Sequence, residues 1–187
     1  AYEQLEELGY LFSHQGKGTF ASLPPRMIPL AMELSGFAKK MAQQGLSCEN
    51  RVVQRKWINY KPQLFQILGA SPQDKVLKIS RLRVVDGVPA ALHTSYLSAA
   101  RFPQLETEGD GIQSVSQYLR AQGYEHCQVS QRCLAMMVPT KKERKLLELP
   151  GCCPALILTS KTLSSPDDEV LEVLRIVYRG DRFVLQL

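Results

Sequence analysis

Apolar positions along the chain switch between helical and strand spacing. Between Ser35 and Gln44 they recur at i, i+3, i+4 and i+7, which predicts an amphipathic helix that ends at Gly45. The next segments predict a strand over Cys48–Ile58 and a short helix over Pro62–Leu68, with proline in its first turn and glycine after its last. Helices and strands are therefore mixed along the chain.

The same mixture continues to the C-terminus. Two predicted strands, Val76–Val85 and Pro89–Leu97, are joined through Asp86-Gly87, a dipeptide typical of tight hairpins. Further strands are predicted at Tyr124–Val138, Ala155–Leu163, Val170–Tyr178 and Arg182–Leu187. One more helix contains Ile112, Val115 and Leu119 between an Asp110 cap and Gly123, and another runs from a Thr140/Glu143 capping box to about Leu149. Without βαβ alternation, the predicted fold is α+β, a mostly antiparallel sheet flanked by helices.

The first 22 residues carry a different pattern. Residues 1–8 predict the end of a helix, with Gly9 at the cap, so the chain is expected to begin inside an element. Tyr10–Phe12 and Thr19–Ser22 predict a two-stranded ribbon around a polar tip whose glycines supply positive φ angles. Residues 23–28 include consecutive prolines and predict an extended linker, so the main domain is assigned to residues 29–187.

Composition limits the class of protein. The chain has 187 residues, 44% of them hydrophobic, which suits one main domain. Because no apolar run reaches about 18 residues and no signal-peptide pattern is present, we expect a cytoplasmic protein without a membrane partner. The five cysteines contain no C-x-x-C pair, so we predict structural thiols, no metal site and no cofactor. Aromatic residues make up only 7% of the chain, which argues against a sequence-independent nucleic-acid-binding module despite the net charge of +5.

Two arginines are candidates for ligand binding. Arg81 and Arg83 leave the same face of one predicted strand, with Cα atoms about 7 Å apart, so one small anion can contact both. Planar guanidinium groups suit phosphate or carboxylate. Leu77, Ile79 and Val85 share that face, which directs the arginines toward a partly desolvated region. The alternative is that acidic neighbours pair with both arginines.

The motifs at both ends of the chain resemble a family of bacterial regulators. Leu5-Glu6-Glu7-Leu8-Gly9-Tyr10-Leu11, followed by Gly16-Lys17-Gly18-Thr19-Phe20, resembles the end of the recognition helix and the wing of the GntR winged helix. The helix before Gly45, the segments Ile79–Arg83 and Asp86–Pro89, and Glu172 with Tyr178–Phe183 resemble the UTRA effector domain of the HutC subfamily. The resemblance implies a chorismate-lyase-like fold over residues 29–187 and a winged-helix remnant over residues 1–22.

The resemblance also implies roles for individual residues. Gly16, Lys17 and Gly18 match the wing tip, which contacts DNA in the family. Arg81 and Arg83 match arginines that hold the anionic group of the effector.

Other matched positions surround the remainder of the effector. Glu172 and Tyr178 share one face of their strand and match residues that face the non-anionic part of the ligand. Core packing with a satisfied carboxylate is the alternative for this pair. Phe37 and Ala38 match effector-site positions near the start of the first domain helix.

Two features depart from the sugar-phosphate-sensing relatives. His93 stands where those relatives carry an acidic residue, and imidazole titrates near pH 6.5 in model compounds. Ser114 and Ser116 belong to a phosphate-gripping motif that has lost its phenol. We therefore expect a different effector head group and a weaker preference for phosphate.

The direction of His93 depends on the Asp86-Gly87 hairpin. A two-residue loop would pair Arg81 with Leu92 and turn His93 away from the arginines. A three-residue loop through Val88 would pair Arg81 with His93 instead. The resemblance favours the longer loop.

These features predict an effector-sensing domain of a bacterial transcriptional regulator, in a family whose members are usually repressors. A small anionic metabolite, of the sugar phosphate or carboxylate class, would control operator DNA binding by the full-length homodimer through allostery. The alternative is a chorismate-lyase-like enzyme acting on a carboxylated small molecule, and the wing motif argues against it. Because the helices that read an operator are missing from this chain, we expect no specific operator binding by it alone.

Overall fold

The computed structural model describes residues 2–7, 10–21, 27–30, 37–149 and 153–185. The helices are α1 (Tyr2–Glu7), α2 (Phe37–Gln43), α3 (Pro62–Ile67), α4 (Leu105–Glu108), α5 (Val115–Ala121) and α6 (Lys141–Leu147), with a 3₁₀ turn at Gly109–Gly111. The strands are β1 (Leu11–His14), β2 (Gly18–Ala21), β3 (Ile28–Leu30), β4 (Cys48–Ile58), β5 (Val76–Val85), β6 (Val88–Ser98), β7 (Cys127–Met137), β8 (Ala155–Ser164), β9 (Val170–Arg179) and β10 (Phe183–Leu185). The expected α+β class is confirmed.

Six of the strands form one antiparallel sheet in the order β4-β5-β6-β9-β8-β7. The central strands β5 and β6 are buried along nearly their whole length, because both faces of the sheet are covered. The edge strands β4 and β7 alternate between partly buried and exposed positions. Apart from this sheet, β1 and β2 form an antiparallel hairpin, and β3 pairs in parallel with β10.

The two faces of the sheet carry separate parts of the core. We call the side that bears Arg81, His93 and Ile176 the inner face, and the side that bears Leu82 and Leu92 the outer face. Helix α2 and the β3–β10 pair cover one end of the inner face, whereas α4 and α5 cover the other end. Helices α3 and α6 cover the outer face. Between its two covered ends, the inner face carries the polar candidate residues.

Strand boundaries follow the sequence pattern closely, and helix boundaries follow it less well. Strand β4 has both expected ends, and α2 stops before Gly45, whose φ is +71°. Helix α4 and strand β3 were not predicted, because they have only four and three residues, respectively, which is too few to show a periodic pattern. The start of the helix expected from Ser35 lies outside the described residues.

Two helix N-caps were expected from the sequence, and one of them is wrong. The C-terminal cap expected at Gly9 lies outside the described residues. Ser114, not Asp110, is the N-cap of α5, and its side chain accepts a backbone hydrogen bond from the first turn. Asp110 lies in the 3₁₀ turn, which the extended backbone of Ile112 separates from α5. The expected capping box of α6 is present, with reciprocal hydrogen bonds between Thr140 and Glu143.

The N-terminal segments include the expected ribbon and one contribution to the domain core. Gly16 and Gly18, with φ angles of +80° and +101°, shape the turn between β1 and β2. Ile28, at the end of the segment expected to be a linker, is only 2% exposed and donates its N–H to Arg182 O at 2.7 Å. In the ranges given above, no helix has the length and apolar character of a membrane span.

Candidate functional site

The β5–β6 hairpin sets the direction of the candidate residues. Its loop has two residues, Asp86 and Gly87, with φ angles of +48° and +78°. The expected three-residue loop is therefore wrong. An extra residue in β6, Ala90, forms a β-bulge that shifts the register by one, so that Arg81 pairs with His93 after all. The bulge brings both side chains to the inner face.

Arg81 is a buried cation with incomplete hydrogen bonding. Its side chain is almost fully enclosed, Nη2 donates to Ser95 Oγ at 2.6 Å, and the buried Nε has no partner. Burial lowers the pKa of the guanidinium to about 10, while the Glu172 carboxylate opposes this shift and Arg83 adds to it. Among the described residues, no carboxylate forms an ion pair with Arg81 or Arg83.

Arg83 lies two positions along β5, on the same face. It is partly buried, and its Nε is also buried without a hydrogen-bond partner. Burial lowers the pKa of Arg83, and the nearby Cys48 and Tyr178 oppose the shift. Asn50 on β4 is the cross-strand partner of Arg83, so their side chains share the inner face. Two guanidinium groups therefore project together into one desolvated region.

His93 contributes a neutral polar group beside these cations. It is 5% exposed, and its Nε2 has no hydrogen-bond partner. Burial holds the pKa of His93 well below its usual value, and the charges of Arg83 and Arg81 lower it further. The imidazole therefore stays uncharged at neutral pH.

Aromatic rings surround His93 on the side of α2 and β10. The ring of Phe37 lies edge-on to His93, with a centroid separation of 5.3 Å, and the ring of Tyr178 lies 6.2 Å from both. Phe183 completes the group, 5.2 Å from Tyr178. Burial raises the pKa of Tyr178, so its hydroxyl stays protonated. Ala38, the neighbour of Phe37 on α2, is exposed.

Glu172 lies further along β9 on the same face. Its carboxylate accepts a hydrogen bond from Thr162 Oγ1 at 3.0 Å, and the residue is 7% exposed. Leu174 and Ile176 follow Glu172 by two and four positions, so the three side chains lie on the same face of the strand. The carboxylate interacts electrostatically with Arg81.

The two candidate serines lie at the start of α5. Ser114 Oγ accepts from Gln117 N at 3.4 Å and lies 3.1 Å from Ser116 Oγ. Strand β4 anchors the segment just before them. Asn50 Nδ2 donates to Gln113 O at 2.8 Å, and Arg55 Nη2 donates to Ile112 O at the same distance. The anchored segment therefore lies against the part of the inner face that carries Arg83.

Sequence reasoning missed three polar side chains of this region: Asn50, Arg55 and Ser95. The alternation in β4 places Asn50 on one face, but a bulge at Val53 is needed to return Arg55 to that face. Ser95 could be found only with the β5–β6 register in hand.

The remaining candidates lie apart from this site. Gly16, Lys17 and Gly18 are exposed at the tip of the β1–β2 hairpin. Across the ranges that the structure describes, no group of three or more His, Cys, Asp or Glu side chains could hold a metal ion.

Solved structures with the same fold identify the class of protein. PhnF from Mycobacterium smegmatis matches with a TM-score of 0.74 and 26% identity, covering 99% of this chain and 81% of that one. The separate effector domain of the same protein matches with a TM-score of 0.73 and 25% identity, covering 85% of this chain and 97% of that one. The protein is therefore the effector domain of a transcriptional regulator.

The family follows from the sequence match. The model of the UTRA domain matches residues 43–184, and the chain belongs to this family, within the GntR-type regulators. The transcriptional repressor NagR of Bacillus subtilis is 25% identical over 183 residues, which cover 98% of this chain and 74% of NagR. The repressor MngR of the mannosyl-D-glycerate transport and metabolism system of Escherichia coli is 25% identical over 189 residues, covering 100% of this chain and 77% of MngR.

Proposed function

We propose that the inner face binds a small anionic metabolite between Arg81 and Arg83, and that binding changes the affinity of the intact cytoplasmic regulator for operator DNA. The observation that supports this proposal is the pair of arginines, Arg81 and Arg83, whose buried Nε atoms have no hydrogen-bond partner. A buried unpaired cation is costly, and an anion that accepts these hydrogen bonds removes the cost. The proposed function requires no catalytic step.

The rest of the site fits the non-anionic part of such a metabolite. Glu172 supplies a carboxylate acceptor, and Tyr178 supplies a phenol that stays protonated. His93 offers an uncharged Nε2, and Phe37 closes the aromatic side. This set of donors and acceptors suits the recognition of hydroxyl or amide groups.

A packed route connects the site to the N-terminal part of the chain. Tyr178 contacts Phe183 on β10, and Phe183 pairs in register with Ile28 on β3. Strand β3 lies just after the segment that leads from the hairpin. A ligand that repositions Tyr178 or Phe37 can therefore bias the position of β3, which is the coupling we propose. The tip residues Gly16, Lys17 and Gly18 would contact DNA in the intact protein.

A second copy of the chain is the partner we propose for the edge strand β7. Met136, Met137 and Val138 are 70%, 54% and 78% exposed at the end of that strand. An open sheet edge with apolar side chains favours pairing with another strand. We expect Met136→Lys with Val138→Lys to convert a dimer to a monomer in analytical ultracentrifugation. An unchanged dimer would exclude this strand end from the interface.

The anion site can be tested by thermal shift of the chain against sugar phosphates, phosphonates and carboxylates. A ligand at 100 times its dissociation constant adds about 2.7 kcal/mol of stability, or roughly 5–11 °C for a domain of this size. Arg83→Ala should abolish the shift. Arg51→Ala is the matched control, because Arg51 is an exposed arginine of β4 paired with Glu49.

The outcomes separate the proposal from its rival. Equal shifts in wild type and Arg83→Ala would remove Arg83 from the site. Conversion of chorismate by the chain, followed by absorbance of the aromatic product, would replace sensing with catalysis as the function.

A further inference from the structure

The amide of Asn50 is held in a single orientation. Its Nδ2 donates to the backbone carbonyl of Gln113 at 2.8 Å. A carbonyl oxygen can only accept hydrogen bonds, so a flipped amide would place two acceptors against each other. The geometry therefore fixes Oδ1 as a hydrogen-bond acceptor on the opposite side of the amide.

This acceptor is buried and has no hydrogen-bond partner. Asn50 lies directly across from Arg83 in the β4–β5 register, and the Nε of Arg83 is equally buried and unpartnered. An unsatisfied donor and an unsatisfied acceptor therefore belong to one cross-strand pair on the inner face, and they do not bond to each other. A single group of an anionic ligand that satisfies both must offer an acceptor oxygen to Arg83 and a donor hydrogen to Asn50.

Common anionic groups differ in whether they carry a hydrogen-bond donor as well as acceptors. Ionised carboxylates and sulfonates offer only acceptors. A singly protonated phosphoryl or phosphonyl group offers acceptor oxygens together with one O–H donor.

We propose that Asn50 Oδ1 accepts a hydrogen bond from the P–OH of a singly protonated phosphonate or phosphate held by Arg83. This inference rests on the proposed anion site and adds a proton-recognising position to it. Asn50 then has two functions, since one end of its amide anchors the segment before α5 and the other end selects the ligand group.

Two small probes test the inference without knowledge of the natural effector. Methylphosphonate and methanesulfonate have similar size and tetrahedral shape, and in mildly acidic buffer both carry one negative charge. Under these conditions only methylphosphonate carries a P–OH proton, and methanesulfonate has no hydrogen-bond donor on its anionic group. We expect calorimetry with the whole chain, at millimolar probe concentrations, to give about 10- to 100-fold tighter binding of methylphosphonate.

Variants of β4 distinguish recognition from anchoring. Asn50→Ala should bring the affinity ratio of the two probes close to one. Arg55→Met removes the other anchor of the same segment, to Ile112 O, without removing the acceptor, so it should keep the ratio. A loss of structure alone would weaken both probes together and leave the ratio unchanged.

Each outcome decides between the two proposals. Equal binding of the probes by wild type would overturn the proton-recognising position while leaving the anion site in place. A preference for methylphosphonate that persists in Asn50→Ala would overturn the assignment to Asn50. Failure of both probes to bind would overturn the anion site and this inference with it.

Discussion

Replacing Arg81 with methionine should make the unliganded domain more stable while removing its response to anions. Arg81 is 4% exposed, and no carboxylate of the described residues pairs with it. A guanidinium whose pKa is lower in the folded chain than in the unfolded chain destabilises the fold wherever both states are protonated. That condition holds at neutral pH, and the cost disappears only as the pH rises toward 10 and above.

The size of the effect follows from the pKa of Arg81. A fall from 12.5 to about 10, at about 1.4 kcal/mol per pKa unit, corresponds to roughly 3 kcal/mol. Methionine fills most of the same volume but loses the hydrogen bond that the charged guanidinium donates to Ser95, and this loss costs about 2 kcal/mol. We therefore expect a net gain of about 1 kcal/mol, or a rise in Tm of about 2–4 °C.

Arg179→Met provides the matched comparison. Arg179 is also buried, but its Nε and Nη2 donate to Asp181 at 3.0 and 2.6 Å, and its Nη1 donates to Leu147 O. The hydrogen bond to Asp181 raises the pKa of Arg179, so the folded state favours its charge. Its removal should cost about 2–4 kcal/mol.

Urea unfolding of both variants, with and without phosphate, measures these changes. Arg81→Met should unfold at higher urea than wild type and show no stabilisation by phosphate, while Arg179→Met unfolds at lower urea. If Arg81→Met loses as much stability as Arg179→Met, then Arg81 is not an unpaired buried charge, and the proposal that it binds an anion is refuted.

Three further predictions concern packing, capping and protonation. Gly180→Ala places a Cβ in steric clash with the backbone oxygen of Pro154 and should lower the free energy of unfolding by about 2–3 kcal/mol. Gly111→Ala, with nothing within 4 Å of its Cβ, should change it by less than about 1 kcal/mol in the same urea titration. Thr140→Ala should cost about 1 kcal/mol through the lost cap, and recovery with Thr140→Ser would confirm the hydroxyl as the cause. Because the pKa of His93 is lower in the folded chain, the unfolded chain binds the extra proton first as the pH falls. The free energy of unfolding should therefore fall by up to about 1.4 kcal/mol per pH unit below about pH 6.5. An NMR titration that shows His93 protonated at about pH 6 in the folded state would contradict this.

The local pattern of the sequence was sufficient for the elements and for much of the site. Strand β4 has the predicted ends, and the capping box of α6 was legible from Thr140 and Glu143 alone. The common face of Arg81 and Arg83 also followed from the period of a strand, because alternation depends only on the backbone of that strand. The resemblance of the motifs to known sequences predicted the family, and the match to the UTRA domain confirms that prediction.

Pairing between strands was decided by tertiary structure. The hairpin loop is shorter than expected, and the bulge at Ala90 restores the pairing of Arg81 with His93. The bulge at Val53 similarly returns Arg55 to the inner face. A single inserted residue exchanges the two faces of everything beyond it, and the position of the insertion depends on packing against distant segments.

The chemistry of the site depends on the same long-range contacts. Burial of His93 and of the two arginines results from α2, α5 and β10 covering the sheet, and these elements are far apart in the sequence. The fixed amide of Asn50 depends on a carbonyl more than sixty residues away. The sequence determined which groups are present and which neighbours share a face, whereas only the assembled fold determined which of them lose water and which are left without a partner, because desolvation is a property of the whole packed structure.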